Sequence, residues 1–288
     1  MNRHSKKNRL AALLLALAIC LTLSACDSGA AKAPETMEEI MEKAQENMEA
    51  AESISYEMTM NIGMAVEGMT LQMTMLGKGE MIQDPMLLKM DMNINLGGFG
   101  SMDTILYAAM EDGQYMTYTG ADMGSGLVWQ KQAVTSKDEL AQYNVTAMSL
   151  YMEQAINYQE NGTEMIVGVE ATRYDGMIPN ECMNEVMLQT GMLEQFDSLG
   201  MPAEDIQALF SDLGEIPISV WINKENCLLV KCEIDMTEVV QKLMVRLMEA
   251  VEGSEEVERA FTKVVISMVI TGVNNVESIE IPAEALAA

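Results

Sequence analysis

The feature that most constrains this chain is a change of period just after residue 52. From Tyr56 the apolar residues fall on every second position: Tyr56, Met58, Met60, Ile62, Met64 and Val66 alternate with Glu57, Thr59, Asn61, Gly63, Ala65 and Glu67. A period of two places all members of one set on one face of a strand, so this stretch predicts a long strand with one greasy and one wet side. After the turn residues Glu67-Gly68 the design repeats in Met69, Leu71, Met73 and Met75, and after Asp84-Pro85 in Met86, Leu88, Met90, Met92 and Ile94. Three successive strands of this kind suit an antiparallel meander with a single covered face.

The rest of the chain supplies the cover and more sheet. Thr36-Met37-Glu38-Glu39 reads as a capping box, and Met37, Ile40, Met41, Ala44 and Met48 follow at helical spacing, predicting a helix to about Glu52. Past the Gly97-Gly98-Phe99-Gly100 break, strands are expected over 102–111, 114–119 and around Val128-Trp129. A second capping box, Ser136-Lys137-Asp138-Glu139, opens a predicted helix with Leu140, Tyr143, Ala147, Leu150 and Tyr151. Asn161-Gly162 is read as a hairpin turn between 158–160 and 163–169, and 171–177 as a further strand. Helices are expected over 180–196 and 202–213, strands over 216–222 and 228–236, a helix from Thr237 to about Val251, and a last strand from Ala260 into Val276. There is no βαβ periodicity. The order predicts an α+β fold: a long antiparallel sheet whose apolar face is closed by helices.

The N-terminus carries an address. Arg3, Lys6, Lys7 and Arg9 precede an apolar run from Leu10 to Leu23 that is too short for an ordinary membrane span, the anatomy of a signal peptide. It closes on Leu23-Ser24-Ala25-Cys26, which resembles the lipobox of bacterial lipoproteins. That resemblance implies cleavage before Cys26 and lipid on its thiol. Residues 27–34 are small, polar and end in Pro34, a tether. The expected organisation is therefore a signal peptide over 1–25, a lipidated tether over 26–34 and a single domain over 35–288, held on the extracytoplasmic face of the cell membrane.

Charge and composition remove several function classes. Taking the four signal-peptide bases from 17 leaves 13 Lys and Arg against 44 Asp and Glu, a mature charge near −31. Such a surface repels nucleic acid and anionic head groups. The single histidine, His4, lies in the signal peptide, so Ser-His-Asp, Cys-His and His-zinc chemistry cannot be built from the mature chain. No phosphate-cradling glycine loop and no C-x-x-C occurs. The chain is expected to be non-catalytic and to use no cofactor. Of the body cysteines, Cys182, Cys227 and Cys232, the last two are placed in one strand at odd separation and so on opposite faces, unable to pair. All three are read as small buried hydrophobes.

Methionine marks the candidate site. The chain has 30 of them, and many fall on the inward side of the first strands. Thioether side chains are flexible and polarizable, so a Met-lined surface adapts to ligands of varied shape. Met58, Met60, Met64, Met73, Met75, Met90 and Met92 are the candidate ligand-binding residues, for an apolar or acylated molecule. Core filling is the bland account of the same residues, and a copper(I) site from the Met-x-Met pairs is disfavoured by the lack of His or a nearby Cys.

Lipobox, tether, one amphipathic helix, then Ser53-Ile54-Ser55-Tyr56 leading into long alternating strands with a Gln83-Asp84-Pro85 turn is an uncommon combination. Together with the later segments Val169-Glu170-Ala171-Thr172-Arg173-Tyr174-Asp175-Gly176 and Val220-Trp221-Ile222-Asn223-Lys224-Glu225, it resembles the LolA/LppX-like surface lipoproteins of bacteria. The resemblance implies a curved sheet, a half-barrel wrapped around helices, with an apolar cavity that in better-known relatives carries lipid or an acylated lipoprotein. It transfers no catalytic residue. A structural or interaction lipoprotein of the cell envelope, without a small-molecule ligand, is the alternative function.

Overall fold

A computed structural model describes residues 36–66, 69–122, 126–134, 140, 145–182, 209–250 and 261–288. Helix α1 (Met37–Glu49) opens the fold, followed by β1 (Ser53–Val66), β2 (Met69–Ile82), β3 (Leu87–Asn95), β4 (Ser101–Glu111), β5 (Gln114–Asp122) and β6 (Leu127–Val134). Then come α2 (Val145–Gln154), β7 (Ile156–Ile166), β8 (Val169–Ile178), β9 (Ile216–Asn223), β10 (Leu228–Asp235), α3 (Thr237–Ala250), β11 (Phe261–Val273) and the short α4 (Ala283–Leu286).

All described strands join one antiparallel sheet in the order β6-β5-β4-β3-β2-β1-β11-β10-β9-β8-β7. Two meanders, β1 to β6 and β7 to β11, meet where β1 pairs with β11. The sheet is a half-barrel with helices on its apolar face, the α+β architecture expected from the pattern. Its two edges, β6 and β7, are consecutive in the chain. The connection between them carries α2, which packs against β9 and α1.

The core lies between the sheet and these helices. Every second residue of β9, namely Ile216, Ile218, Val220 and Ile222, is at most 1% exposed. They meet Ala44 and Met48 of α1, Met148, Tyr151 and Met152 of α2, and Val239 of α3. Each large apolar side chain so enclosed contributes about 1.5–3 kcal/mol relative to exposure. Asn47 fixes α1 by donating from Nδ2 to the carbonyls of Asn226 and Cys227, both at 3.0 Å. Met37–Ala288 is one compact unit with its own core, the property of a piece that folds by itself.

Four expectations are corrected. The strand β7 runs straight through Asn161-Gly162, where Gly162 (φ 78°) sits at a register shift against β8, and the hairpin turns instead at Val167 (φ 49°) and Gly168 (φ 78°). Two positive-φ residues are what a tight hairpin needs, but a β-branched valine is an unusual choice for one of them, so Asn-Gly gave the stronger signal. The first helix ends at Glu49 rather than Glu52, because Ser53 already pairs with β2. Cys227 is not in a strand: it occupies the β9–β10 turn with φ 52°, while Cys232 is buried in β10, and no disulfide joins Cys182, Cys227 or Cys232. The last strand stops at Val273. Asn274 takes φ 56°, a conformation asparagine tolerates, and its Oδ1 accepts from the N–H of Glu52 at 2.7 Å. The capping box at 136–139 and most of the helices expected over 180–196 and 202–213 lie outside the described residues.

Beyond Asn274 the chain forms a strap that the sequence did not announce. Ile279 and Ala285 bury themselves against Tyr107 of β4 and Tyr118 of β5, on the face opposite the helices. Beside them Trp129 of β6 lies over Gly120, where a Cβ would come within 2.9 Å of the indole.

Candidate functional site

Directly opposed residues in an antiparallel sheet share a face, so the register of β11, β1, β2, β3 and β4 assigns each methionine a row on the inner face. One row reads Ile270, Tyr56, Gly79, Met90, Leu106, and the next Met268, Met58, Gly77, Met92, Thr104. Then follow Ile266, Met60, Met75, Ile94, Met102, and further out Val264, Ile62, Met73, and finally Phe261, Met64, Leu71. All seven candidate methionines therefore occupy one continuous face, with Met60 and Met75 directly opposed.

They are not equivalent in depth. Met58 (7% exposed) and Met90 (0%) belong to the packed core with Tyr56 and Leu106. Met60, Met64, Met73, Met75 and Met92 are half-buried, as are Ile62, Leu71, Ile94 and Met102 beside them. The inner face thus divides into a filled part near Tyr56 and a half-covered methionine field toward the β1–β2 hairpin end. No charged residue occurs in these rows. The field can offer dispersion contacts and displace water, and nothing in it can transfer a proton.

Glycines shape the boundary between the two parts. The period-two reading followed β2 only to Met75, yet the strand continues through Gly77 and Gly79 to Ile82. A Cβ on Gly79 would lie 2.0 Å from Cζ of Tyr56, and one on Gly77 would lie 2.6 Å from Cε of Met90. These positions are empty because neighbouring strands lay their side chains across them. The signal that could have found them is the every-second-residue spacing itself, which continues from Met75 through the two glycines to Met81. Burial of Tyr56 also pushes its phenol pKa well up, so the hydroxyl stays protonated beside the field.

The outer face of the same strands is polar. A shallow depression of about 570 Å³ there is bordered by Glu57, Lys78, Asp91, Asn93 and Asp103. Its groups are mostly paired: Lys78 with Glu57 at 3.0 Å, Asp91 with Lys89 at 2.8 Å, and Asn93 donating to Asp103 at 2.7 Å. Among the described residues no group of three His, Cys, Asp or Glu could hold a metal ion, and no helix is long and apolar enough to cross a membrane.

An open antiparallel half-barrel whose inner face is uncharged and methionine-rich across β1 to β4 defines an α+β protein with a surface suited to apolar contact. The chain belongs to a family of unknown function (DUF6612), whose model matches residues 36–288. No curated protein matches it. Solved structures similar to it include lipoprotein LppX of Mycobacterium tuberculosis, 13% identical with a TM-score of 0.45, covering 85% of this chain and 100% of that one. LprF of Mycobacterium bovis is also 13% identical, with a TM-score of 0.46 over 85% and 96% of the two chains. A LolA superfamily protein of Nitrosomonas europaea is 12% identical, with a TM-score of 0.22 over 86% and 96%.

Proposed function

We propose that this protein is an extracytoplasmic lipoprotein, anchored in the cell membrane through lipid on Cys26, that binds or carries an apolar or acylated ligand and performs no chemistry on it. The observation that carries the reading is the half-buried field of Met60, Met64, Met73, Met75 and Met92 on the part of the inner face that β1 to β4 form without a charged residue. Removing such a surface from water by covering it with an alkyl chain is favourable at about 25 cal/mol per Å². Methionine allows one surface to follow chains of different shape.

Mass spectrometry of organic extracts from the natively purified protein tests this. A stoichiometric apolar species is expected. Extracts matching those of an unrelated protein purified in parallel would overturn it. Burial of Met58 and Met90 in the core favours a second reading, an envelope lipoprotein with a filled core whose partner is another protein. An empty extract together with a defined protein partner captured through the methionine field would support that reading instead.

A further inference from the structure

The end of the sheet beyond the methionine field carries almost no charge. From Met58 to Gly77 the sequence holds one charged residue, Glu67, and from Met92 to Met102 none, in a chain with 44 Asp and Glu. Among the described residues β1 and β2 project there beyond both neighbouring strands: β3 reaches Asn95, opposite Thr74, and β11 begins at Phe261, opposite Met64. The loop after β3 lies against this hairpin, since a Cβ on Gly97 would come within 2.9 Å of the Gln72 carbonyl oxygen. Phe99 on that loop is 79% exposed, and Met69 at the start of β2 is 64% exposed. Two large apolar side chains are thus presented to solvent on neighbouring tips, in a part of the sheet almost free of charge on both faces.

The chain also enters the fold at this end. Met37 shares a groove with Ile156 and Asn157 at the start of β7, whereas Asn47 bonds the β9–β10 turn. The register carries Ile156 through Met177 to Pro217, beside Ile218, which lies in one row with Ile234, Ile266, Met60 and Met75. Helix α1 therefore starts at the end of the sheet where the hairpin projects. Residues 27–36 span about 35 Å at most, so lipid on Cys26 keeps that end near a bilayer.

We infer that Met69 and Phe99 are contact points of this protein with a lipid bilayer, inserting into its interface beside the lipidated tether. Apolar side chains gain there by leaving water, and segments nearly free of charge avoid the cost that ionised groups meet in lipid. The depth is interfacial, because the edges of a two-stranded tip leave backbone groups that need water. Met64, Leu71 and Met73 continue from the tip into the methionine field, so the contact turns the open end of the field toward the lipid. The inference rests on the membrane anchor of the proposed function and adds to it the surface that meets the membrane.

The test replaces the lipid. Residues 26–288 with Cys26→Ser and an N-terminal hexahistidine segment are held by a nickel-chelating lipid on phosphatidylcholine vesicles, whose acyl chains carry bromine near the head-group end as a contact quencher of indole. Phe99→Trp places a reporter at the tip, and Met165→Trp, 63% exposed near the β7–β8 hairpin at the opposite end, is the comparison. The added emission, read against the parent with Trp129 and Trp221, is expected to be quenched about threefold more at 99 than at 165, and Met69→Ser to lower the quenching at 99 about twofold. All three substituted side chains are exposed, so the variants keep the fold, and their thermal transitions check it. Equal quenching at the two positions, quenching at neither, the reverse order, or quenching at 99 unaltered by Met69→Ser would each overturn the inference. Because nickel supplies the anchor, such a failure leaves lipid on Cys26 standing, and that reading fails separately if Cys26→Ser stays in the membrane fraction.

Discussion

The ring of Tyr56 lies across Gly79 on the adjacent strand, so close that a Cβ there would sit 2.0 Å from Cζ and 2.4 Å from the hydroxyl oxygen. The two residues are register partners, and the tyrosine, 1% exposed, supplies the surface that the glycine lacks. Gly79→Ala is therefore expected to lower stability by about 1–3 kcal/mol, since the buried ring has to move within a packed core. Chemical denaturation measures it. Gly98→Ala is the control, because nothing lies within 4 Å of a Cβ at that position. A Gly79→Ala, Tyr56→Ala double variant that loses the sum of the two single effects would show that the contact is not coupled.

The methionine field and the core beneath it separate by mutation. Met90→Ala is expected to cost about 2–5 kcal/mol, as the residue is wholly enclosed. Met75→Lys on the half-buried field is expected to leave the thermal transition within a few degrees and to remove any apolar species from the organic extract. Equal losses of stability at the two positions would contradict the division of the inner face.

The existence of this face, though not its division, was readable from residue order alone. Alternation from Tyr56 to Val66 set the first strand and the greasy side that Met58, Met60 and Met64 share, and the same period in the next two strands did so for Met73, Met75, Met90 and Met92, because a period of two is a property of any pleated strand. Depth was not readable. Met58 and Met60 are indistinguishable in sequence, and only the tertiary packing makes one core and the other half-covered. Gly77 and Gly79 broke the apolar series while preserving its period, so a hydrophobic count stopped where the strand did not.

The C-terminal strap offers a third test. Ile279 is 9% exposed against Tyr107 and Tyr118, and Ile279→Ala is expected to cost about 2 kcal/mol. Removing residues 276–288 would uncover the aromatic cluster that includes Trp129, and its fluorescence should shift to longer wavelength. Unchanged emission would show that the strap does not shield that cluster.

Thiol chemistry provides a fourth. Burial pushes the Cys232 thiol pKa up to about 12, since a thiolate cannot be solvated there. At neutral pH a thiol reagent is expected to label half-exposed Cys182 first and Cys232 only on unfolding. The unfolded chain ionises this thiol at a lower pH than the folded one. Its contribution is thus complete below the unfolded thiol's pKa and declines as pH rises from there toward 12. Labelling of Cys232 at the rate of an unfolded peptide would contradict its burial.

Membrane attachment is the fifth. Cys26→Ser is expected to move the protein from the membrane fraction to the medium or periplasm, since one lipidated residue is the whole proposed anchor. Retention in the membrane would reject lipid on Cys26.

The pairing of β1 with β11 bears on how the molecule is made. Glu52 and Asn274, joined by a hydrogen bond across that seam, are 222 positions apart. The two meanders can each zip locally, but they become one sheet only when β11 is available to β1. During synthesis β1 waits for residues 261–273 before that edge is covered, so the central joint of the sheet cannot close before the second meander has been made.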